Sequence, residues 1–328
     1  MAVITPILEA KGLSVLYPAG RSGLFARRRY VQAASNVDLA LYPGETLALV
    51  GESGSGKTTI ARALLGLVGH VTGQVCFEGK DAAAMTRTGR RAMQRAVQMI
   101  FQDPFGSLDP RLPVASIIAE PLRIHHIGTN ITRRARIREL LDQVGLPADA
   151  SNRYPHQFSG GERQRIAIAR ALAPAPRAII ADEPLSALDV SIQSQILNLM
   201  AVLRDRAGLS YLLISHDLAA VHHLADRVAV LYLGRLVEVG PREALFEAPA
   251  HPYSRALLDA VPRIGAGKRV PGGALPGDLP SPLEPPLGCA FHPRCPRASD
   301  RCVTEMPSLS ALSQAHLAAC HHPLQSAV

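Results

Sequence analysis

A glycine-rich segment between two apolar patterns limits the folds open to this chain: Gly51-Glu52-Ser53-Gly54-Ser55-Gly56-Lys57-Thr58. The run from Thr46 to Val50 predicts a buried strand before it, and the pattern from Thr59 to Leu65 predicts a helix after it. A strand, a glycine-rich loop and a helix in this order indicate a phosphate-binding loop. Its backbone N–H groups converge on phosphates, Lys57 meets the β and γ oxygens, and the Thr58 hydroxyl can bind Mg²⁺.

Strand and helix patterns alternate in the later part of the chain. Apolar runs at 178–181, 211–214 and 228–233 predict strands, and helical patterns separate them, as in a parallel sheet. Between about residues 86 and 150 the pattern is helical and rich in arginine, which predicts a helical insertion. A stretch dense in Gly and Pro follows Gly265 and predicts a linker or irregular arm.

Composition narrows the classes of protein that fit. With 328 residues, 47% apolar and 19% charged, the chain is expected to fold as a globular protein. Its formal charge of +8 suits a nucleic acid, an anionic membrane surface or a phosphate-bearing ligand. No run reaches the roughly 18 apolar residues that a membrane span needs, and the start lacks a signal-peptide pattern. We therefore expect a cytosolic chain unless another protein holds it at a membrane.

Two further motifs carry chemistry. Asp182 and Glu183 follow a predicted strand, where an aspartate can hold Mg²⁺ through water and a glutamate can take a proton from an attacking water. A turn that begins a predicted helix, Ser159-Gly160-Gly161-Glu162, offers backbone N–H groups and a positive helix end to an anion.

Along the chain the phosphate-binding loop comes first, then the Ser159 turn, then the acid pair. The three motifs in that chain order resemble the nucleotide-binding subunit of ATP-binding cassette (ABC) transporters. The remaining elements of that family are also present: Gln102 in Phe101-Gln102-Asp103-Pro104, Asp189 in Ser186-Ala187-Leu188-Asp189, and His216 in Ser215-His216-Asp217. The resemblance implies an α/β fold of the P-loop NTPase type, with a RecA-like parallel sheet, an antiparallel β part and a helical subdomain at about 86–176. The nucleotide-binding domain would span residues 1–250.

The resemblance also implies roles for the matching residues. Gly51 to Thr59 would hold the triphosphate of ATP, with Mg²⁺ bound by Thr58, Gln102 and Asp182. Glu183 would be the general base, Gln102 would also contact the attacking water, and His216 would contact the γ-phosphate. The loop from Ser159 to Glu162 would complete the site of a second subunit in a head-to-tail dimer, with Asp189 at the same interface.

Two details of the site need separate comment: the choice of the tyrosine that stacks on adenine, and a departure from the usual family pattern at Glu162. The aromatic residue that stacks on adenine is best matched by Tyr17, with Tyr30 as a rival because the basic segment Arg21 to Arg29 resembles an insertion. Glu162 occupies a position where many relatives have glutamine. Since both side chains accept hydrogen bonds, we expect no loss of activity.

Further motifs resemble one branch of the family, and with them the resemblance covers nearly the whole chain. Motifs at 102–111, 154–158 and 250–254 are similar to dipeptide/oligopeptide importers, whose close relatives include importers of nickel and glutathione. Residues 251–328 are similar to the C-terminal extension of that branch. The resemblance implies two membrane-spanning permease subunits, a second ATP-binding subunit and, indirectly, an extracytoplasmic peptide-binding protein. The chain would lie peripherally on the cytoplasmic face of the inner (cell) membrane.

The extension contains four of the five cysteines, at positions 289, 295, 302 and 320. Their uneven distribution argues for reduced thiols instead of a disulfide framework. Cys289, Cys295, Cys302 and Cys320 lack the paired knuckles of structural zinc sites, whereas iron–sulfur clusters accept irregular spacing. We expect a [4Fe–4S] cluster, with Zn²⁺ or four free thiols as alternatives. Its role would be to staple a Pro-rich tail that lacks a core of its own.

The sequence thus predicts an ATP-hydrolysing subunit of a multi-subunit peptide importer. A rival function is a cassette ATPase that acts on nucleic acid or ribosomes, as the basic charge would allow. Such proteins usually carry a long coiled coil, a zinc module before the Ser-Gly-Gly turn, or a second cassette, and none is present. We therefore expect no nucleic-acid partner. The choice between a homodimer and a heterodimer remains open.

Overall fold

Strands and helices alternate along most of the chain in the computed structural model, which describes residues 4–19, 29–186, 188–260, 277–313 and 315–324. The basic segment before Arg29 and the first part of the Gly- and Pro-rich arm lie outside the described residues. The described strands are β1 (Leu8–Pro18), β2 (Tyr30–Leu41), β3 (Thr46–Val50), β4 (Val71–Phe77), β5 (Lys80–Asp81), β6 (Val97–Ile100), β7 (Ala178–Asp182), β8 (Ser210–Ser215), β9 (Arg227–Tyr232), β10 (Arg235–Pro241), β11 (Ser310–Ala311) and β12 (Leu317–Ala318).

The helices connect these strands. They are α1 (Lys57–Leu64), α2 (Arg87–Ala96), α3 (Pro104–Ser107), α4 (Val114–Ile124), α5 (Asn130–Gln143), α6 (Gly160–Leu172), α7 (Val190–Ala207), α8 (Leu218–Leu224), α9 (Arg242–Glu247), α10 (Pro252–Asp259) and α11 (Asp300–Thr304). Short 3₁₀ turns cover Ala148–Asn152, Pro155–Gln157 and His292–Arg294.

The chain divides into two compact units. The first contains Met1–Leu8, Leu41–Thr46 and Cys76–Ile214, and its central strands β6, β7 and β8 are parallel. Ile100 pairs with Ala181, and Asp182 pairs with Ile214. Every residue of β7 is buried, as expected for a parallel strand covered on both faces.

Helices α4, α5 and α6 of the first unit pack against one another. On α5, the predicted apolar positions Ile137, Leu140 and Leu141 are buried. The helix begins at a capping box in which the Thr129 side chain accepts from the Thr132 N–H. Strand β6 interrupts the predicted helical region. The sequence pattern did not reveal this strand, because a run of only four residues has too little periodicity to be distinguished from part of a helix.

The second unit contains Glu9–Ala40, Leu47–Val75 and Ser215–Val328. Strand β3 runs parallel to β9, and β9, β10 and β12 follow as antiparallel neighbours. Strands β2, β1 and β4 form a second sheet in that order. The predicted combination of parallel and antiparallel β structure is therefore confirmed. The compact units are not separated at residue 250, and the domain boundary there stays a prediction.

The C-terminal extension is tied to β10 of this unit by a buried carboxylate. Glu238 is fully buried, and it accepts hydrogen bonds from the backbone N–H groups of Ala250 and His251, both at 2.8 Å. His316 Nε2 makes a third hydrogen bond to it at 2.7 Å, next to β12. The sequence predicts an irregular extension, but β11 and β12 add two short strands to the sheet. Strands of two residues have no periodicity that a sequence pattern could reveal.

Candidate functional site

The loop after β3 has a backbone that only glycine can adopt at two points. Gly51 has a φ of 152°, and a Cβ there would lie 2.2 Å from the carbonyl oxygen of Leu231. Gly56 has a φ of 106°, and its Cβ would lie 2.0 Å from the carbonyl oxygen of Ala33. Both obstacles are backbone atoms of strands, β9 for Leu231 and β2 for Ala33, so the loop depends on glycine for space as well as for φ.

Lys57 lies inside this loop at the start of α1. It is only 5% exposed, and its Nζ donates to the carbonyl oxygens of Gly51 at 2.7 Å and Glu52 at 2.9 Å. The ammonium group is thus held at the centre of the loop, and Thr58 and Thr59 follow it in the first turn. No acidic residue lies in that turn, so the positive end of the helix is not neutralised. This arrangement suits a polyanionic phosphate group.

The end of β7 carries the predicted acid pair. Asp182 is 1% exposed, and Glu183 is half-buried. Gln102 Nε2 donates to Glu183 Oε2 at 3.0 Å, so the structure brings these two predicted residues together. Glu183 has a φ of 46°, a left-handed conformation that costs a non-glycine residue roughly 1–3 kcal/mol. Its N–H donates to the carbonyl oxygen of Ile214 at 2.9 Å, which helps to hold it there.

The Ser159 turn begins α6 as predicted. Ser159 is the N-cap, and its hydroxyl donates to Glu162 Oε2 at 2.7 Å, while the Ser159 N–H donates to the same oxygen at 2.9 Å. These hydrogen bonds, led by the one from the backbone, hold the pKa of Glu162 below its usual value. A Cβ on Gly161 would lie 2.5 Å from Ile192 Cγ2, so this turn also packs closely.

We expect Glu162→Gln to leave ATP hydrolysis within about twofold of the wild-type rate. The amide oxygen of glutamine can accept from Ser159 as the carboxylate does, and only the favourable charge at the helix end is lost, about 0.3–1 kcal/mol of stability. Steady-state ATPase rates and thermal unfolding measure the two effects. Glu162→Ala removes the acceptor altogether and serves as the comparison, with an expected stability loss of about 0.5–2 kcal/mol. A tenfold loss of activity in Glu162→Gln would contradict this expectation.

The other predicted site residues lie at element ends or on strands. Asp189 is the N-cap of α7, and His216 is exposed just after β8. Tyr17 lies half-buried near the end of β1, and Tyr30 begins β2 with 39% of its surface exposed. Stacking of either tyrosine on adenine remains a prediction.

The four cysteines of the extension line one small pocket together with His251. Cys289 and Cys302 are buried, and Cys295 and Cys320 are half-buried. Burial raises the pKa of the Cys289 and Cys295 thiols and raises that of Cys320 to about 11. Within the part of the chain that the structure describes, however, no three His, Cys, Asp or Glu side chains are grouped so as to hold a metal ion. The positions of the side chains thus do not themselves support the expected metal site.

Similarity to known proteins extends over nearly the whole chain. The profile of the ABC transporter family matches residues 34–186, and that of the oligopeptide/dipeptide transporter C-terminal region matches residues 237–302. The di/tripeptide transport ATP-binding protein DppF of Pseudomonas aeruginosa is 47% identical over 319 residues, which cover 97% of this chain and 98% of the relative. The oligopeptide transport ATP-binding protein AppF of Bacillus subtilis is 47% identical over 320 residues, covering 96% and 97%. The chain belongs to the ABC transporter family.

Solved structures agree with this ABC assignment. A dimeric ATP-binding cassette in a post-hydrolysis state, bound to ADP and Pi, superposes with a TM-score of 0.63 at 28% identity, covering 72% of this chain and 98% of the cassette. The fold is also that of cbiO1 from Clostridium perfringens, with a TM-score of 0.64 at 24% identity, covering 74% and 92%. The prediction of a P-loop NTPase fold is therefore confirmed. Among the described helices of this ABC subunit, none is long and apolar enough to cross a membrane.

Two residues that contact the phosphate-binding loop of this ABC subunit are not among the site residues that the sequence predicts. Tyr253 accepts a hydrogen bond from the Glu52 N–H at 2.9 Å, and Arg294 pairs with the Glu52 carboxylate. Tyr253 lies within the motif at 250–254, and Arg294 directly precedes Cys295. The only local signal is a basic residue between cysteines, and nothing in the sequence shows where its side chain reaches.

Proposed function

We propose that this chain is the ATP-hydrolysing subunit of an ABC importer for dipeptides or oligopeptides. The observation that carries the proposal is the sequence identity of 45–48%, over nearly the full length, to relatives named as peptide import or transport ATP-binding proteins. The matched part of the chain includes residues 237–302, which fit the C-terminal region of oligopeptide/dipeptide transporters. A nucleotide-binding loop alone would support any ABC protein, whereas this extension favours the peptide branch.

In the proposed cycle, the loop from Gly51 to Thr59 binds the triphosphate of ATP, and Lys57 neutralises charge on its β and γ oxygens. Thr58, Gln102 and Asp182 would hold Mg²⁺, which would offset the negative charge on the phosphate oxygens during hydrolysis. Tyr17 stacks on adenine. The relevant side chains are of the required type: a lysine held inside the loop and a buried aspartate at a strand end.

Glu183 takes the proton of the attacking water in this cycle, Gln102 helps to orient that water, and His216 contacts the γ-phosphate. The hydrogen bond between Gln102 and Glu183 supports their shared role, because it shows that both reach the same point. The Ser159 loop would act on ATP held by a second cassette, with Asp189 at the dimer interface. ATP binding would close the dimer, and hydrolysis would reopen it.

The proposed assembly contains two membrane-spanning permease subunits and a second ATP-binding subunit. An extracytoplasmic binding protein would deliver the peptide, and this chain would lie on the cytoplasmic face of the inner membrane. Nucleic acid is not a proposed partner.

Affinity purification of the tagged chain from detergent-solubilised native membranes, followed by mass spectrometry, tests this assembly. Recovery of two multispanning subunits and a second cassette ATPase supports the proposal. Co-purification of a nickel- or glutathione-binding protein would indicate that the transported solute is nickel or glutathione and not a peptide. Recovery from the soluble fraction with ribosomes or nucleic acid would overturn the importer function.

For the extension, we propose that Cys289, Cys295, Cys302 and Cys320 hold a [4Fe–4S] cluster. The support is the donor set: four soft sulfur ligands line one pocket, and their spacing lacks zinc knuckles. Because burial raises the pKa of the Cys289, Cys295 and Cys320 thiols, cluster binding would displace their protons. The cluster, once bound, would staple the extension in place of a core of its own.

Anaerobically purified protein is expected to contain about four iron and four sulfide per chain, to be brown, and to lose iron and thermal stability together in Cys302→Ser. Metal analysis, sulfide analysis and thermal unfolding are the measurements. Cys76→Ser provides the control, because Cys76 lies outside the pocket. A colourless protein with one zinc per chain would indicate that the four cysteines bind Zn²⁺. A metal-free protein would indicate that they are free thiols.

A further inference from the structure

We infer that Arg294, in the C-terminal extension, is a positioning residue of the phosphate-binding loop that raises its affinity for ATP by holding the carboxylate of Glu52. The inference rests on the proposed function, in which this loop binds ATP. It assigns to the extension a direct part in nucleotide binding, beyond the stapling role of its cysteines.

The contact itself is a partly buried ion pair with two hydrogen bonds. Arg294 Nη1 lies 2.7 Å from Glu52 Oε2, and Arg294 Nη2 lies 3.0 Å from Glu52 Oε1. The Arg294 side chain is only 5% exposed, whereas that of Glu52 is 25% exposed. Paired N–H donors on a planar guanidinium fix the orientation of a carboxylate as well as its position. The pKa of Arg294 is raised, first of all by its hydrogen bonds to Glu52.

A second group from the same region holds the backbone of Glu52. Tyr253 is fully buried at the start of α10, and its hydroxyl accepts from the Glu52 N–H at 2.9 Å. Burial raises the pKa of Tyr253, so its phenol remains neutral at physiological pH. The side chain and the N–H of Glu52 are therefore both bound by residues after position 250. Such double attachment restricts the first residue after Gly51, where the loop leaves the strand.

Aromatic packing keeps these two groups in place. Tyr232 and Tyr253 meet edge to face with ring centroids 4.7 Å apart, and Phe291 contacts both at 5.3 and 5.4 Å. The Tyr232 hydroxyl also lies 3.5 Å from Arg294 Nη1. Since Phe291 directly precedes the 3₁₀ turn that carries Arg294, the aromatic cluster joins this turn to β9 and α10.

Charge explains why this contact would matter for ATP. Glu52 places a negative charge within the loop that has to bind a polyanion. Paired with Arg294 the carboxylate is neutralised, and without Arg294 it would repel the phosphates and be free to change its orientation. A contact that only fastened the extension would contribute stability and leave the affinity for ATP unchanged.

The test compares Arg294→Met with wild type in the full-length chain assembled with its permeases. The KM for ATP and the Kd of a fluorescent ATP analogue are expected to rise on the order of tenfold, while kcat stays within about twofold. Adding Glu52→Gln to the Arg294→Met variant removes the unpaired charge and is expected to restore most of the affinity. Arg301→Met is the matched control, because this exposed arginine of the extension pairs only with Glu305 among the ion pairs described.

The outcomes separate the inference from the proposed function. A rise in KM that Glu52→Gln reverses supports the positioning role. An unchanged KM in Arg294→Met, or a raised KM that Glu52→Gln fails to lower, overturns it while the ATPase function stands. If Arg294→Met does not fold, Tyr253→Phe takes its place, with a threefold or larger rise in KM expected and an unchanged KM counting against the inference. A wild-type chain that binds no ATP would overturn the proposed function and this inference together.

Discussion

The Glu183→Gln variant is expected to bind ATP normally and to hydrolyse it about 10²- to 10⁴-fold more slowly than the wild type. Glutamine has nearly the shape of glutamate, and its amide oxygen can still accept the hydrogen bond from Gln102 Nε2 that the carboxylate accepts at 3.0 Å. An amide cannot take a proton from water near neutral pH. The substitution therefore removes the general base and leaves its surroundings in place. ATP should then accumulate unhydrolysed between two subunits and trap the dimer.

Single-turnover hydrolysis, equilibrium ATP binding and size-exclusion chromatography with ATP measure the three expected effects of Glu183→Gln. Asp142→Asn is the matched control, since it makes the same acid-to-amide change at an exposed position on α5. Thermal unfolding should show little change, because the left-handed backbone at Glu183 is held by its N–H bond to Ile214 and not by the side chain. Turnover at the wild-type rate would refute the assigned role.

The second large effect is expected for Gly56→Ala, which should weaken ATP binding by about 10²-fold or more. The new Cβ would lie 2.0 Å from the carbonyl oxygen of Ala33, a backbone atom of β2, at a φ of 106°. A backbone carbonyl in a sheet cannot rotate away as a flexible side chain can, so the loop itself has to move. Such overpacking costs about 1–3 kcal/mol, and the displaced N–H groups no longer converge on the phosphates.

Gly66→Ala is the matched control for Gly56→Ala. Gly66 has a φ of 68°, but a Cβ added there would have no atom within 4 Å, so the substitution brings backbone strain without a clash. We expect it to cost about 1–2 kcal/mol of stability and to leave ATP affinity within about twofold. Equilibrium ATP binding and thermal unfolding of both variants separate the clash from the strain. Normal ATP affinity in Gly56→Ala would mean that the loop can bind phosphate in another conformation.

The C-terminal extension contacts the phosphate-binding loop as well as containing the cysteine pocket. Residues after 250 supply Tyr253 and Arg294 to the phosphate-binding loop, and the same 3₁₀ turn that carries Arg294 leads into Cys295 of the cysteine pocket. The pocket and the loop are therefore joined through one short segment, in which Arg294 is buried. Loss of the proposed cluster would be expected to weaken ATP binding as well as the fold of the extension.

Local patterns were sufficient for the features whose parts are near in sequence. The phosphate-binding loop follows β3 and precedes α1 as predicted, because strand, glycine-rich turn and helix each leave their own local signal. The helix start at Ser159 was predictable for the same reason, since the cap and its partner Glu162 are three residues apart. The acid pair at the end of β7 also follows from the apolar run before it.

Tertiary structure alone decided the contacts between distant residues. Gln102 meets Glu183 across 81 residues, and Arg294 meets Glu52 across 242. The position of Ala33 behind Gly56 and the joining of β12 to β10 belong to the same class. No periodicity or spacing encodes such pairs, because they depend on how strands are ordered in a sheet and where the chain returns to it. The sequence by itself therefore determined which chemistry this protein carries, and the packing of distant segments determined which residues hold that chemistry in position.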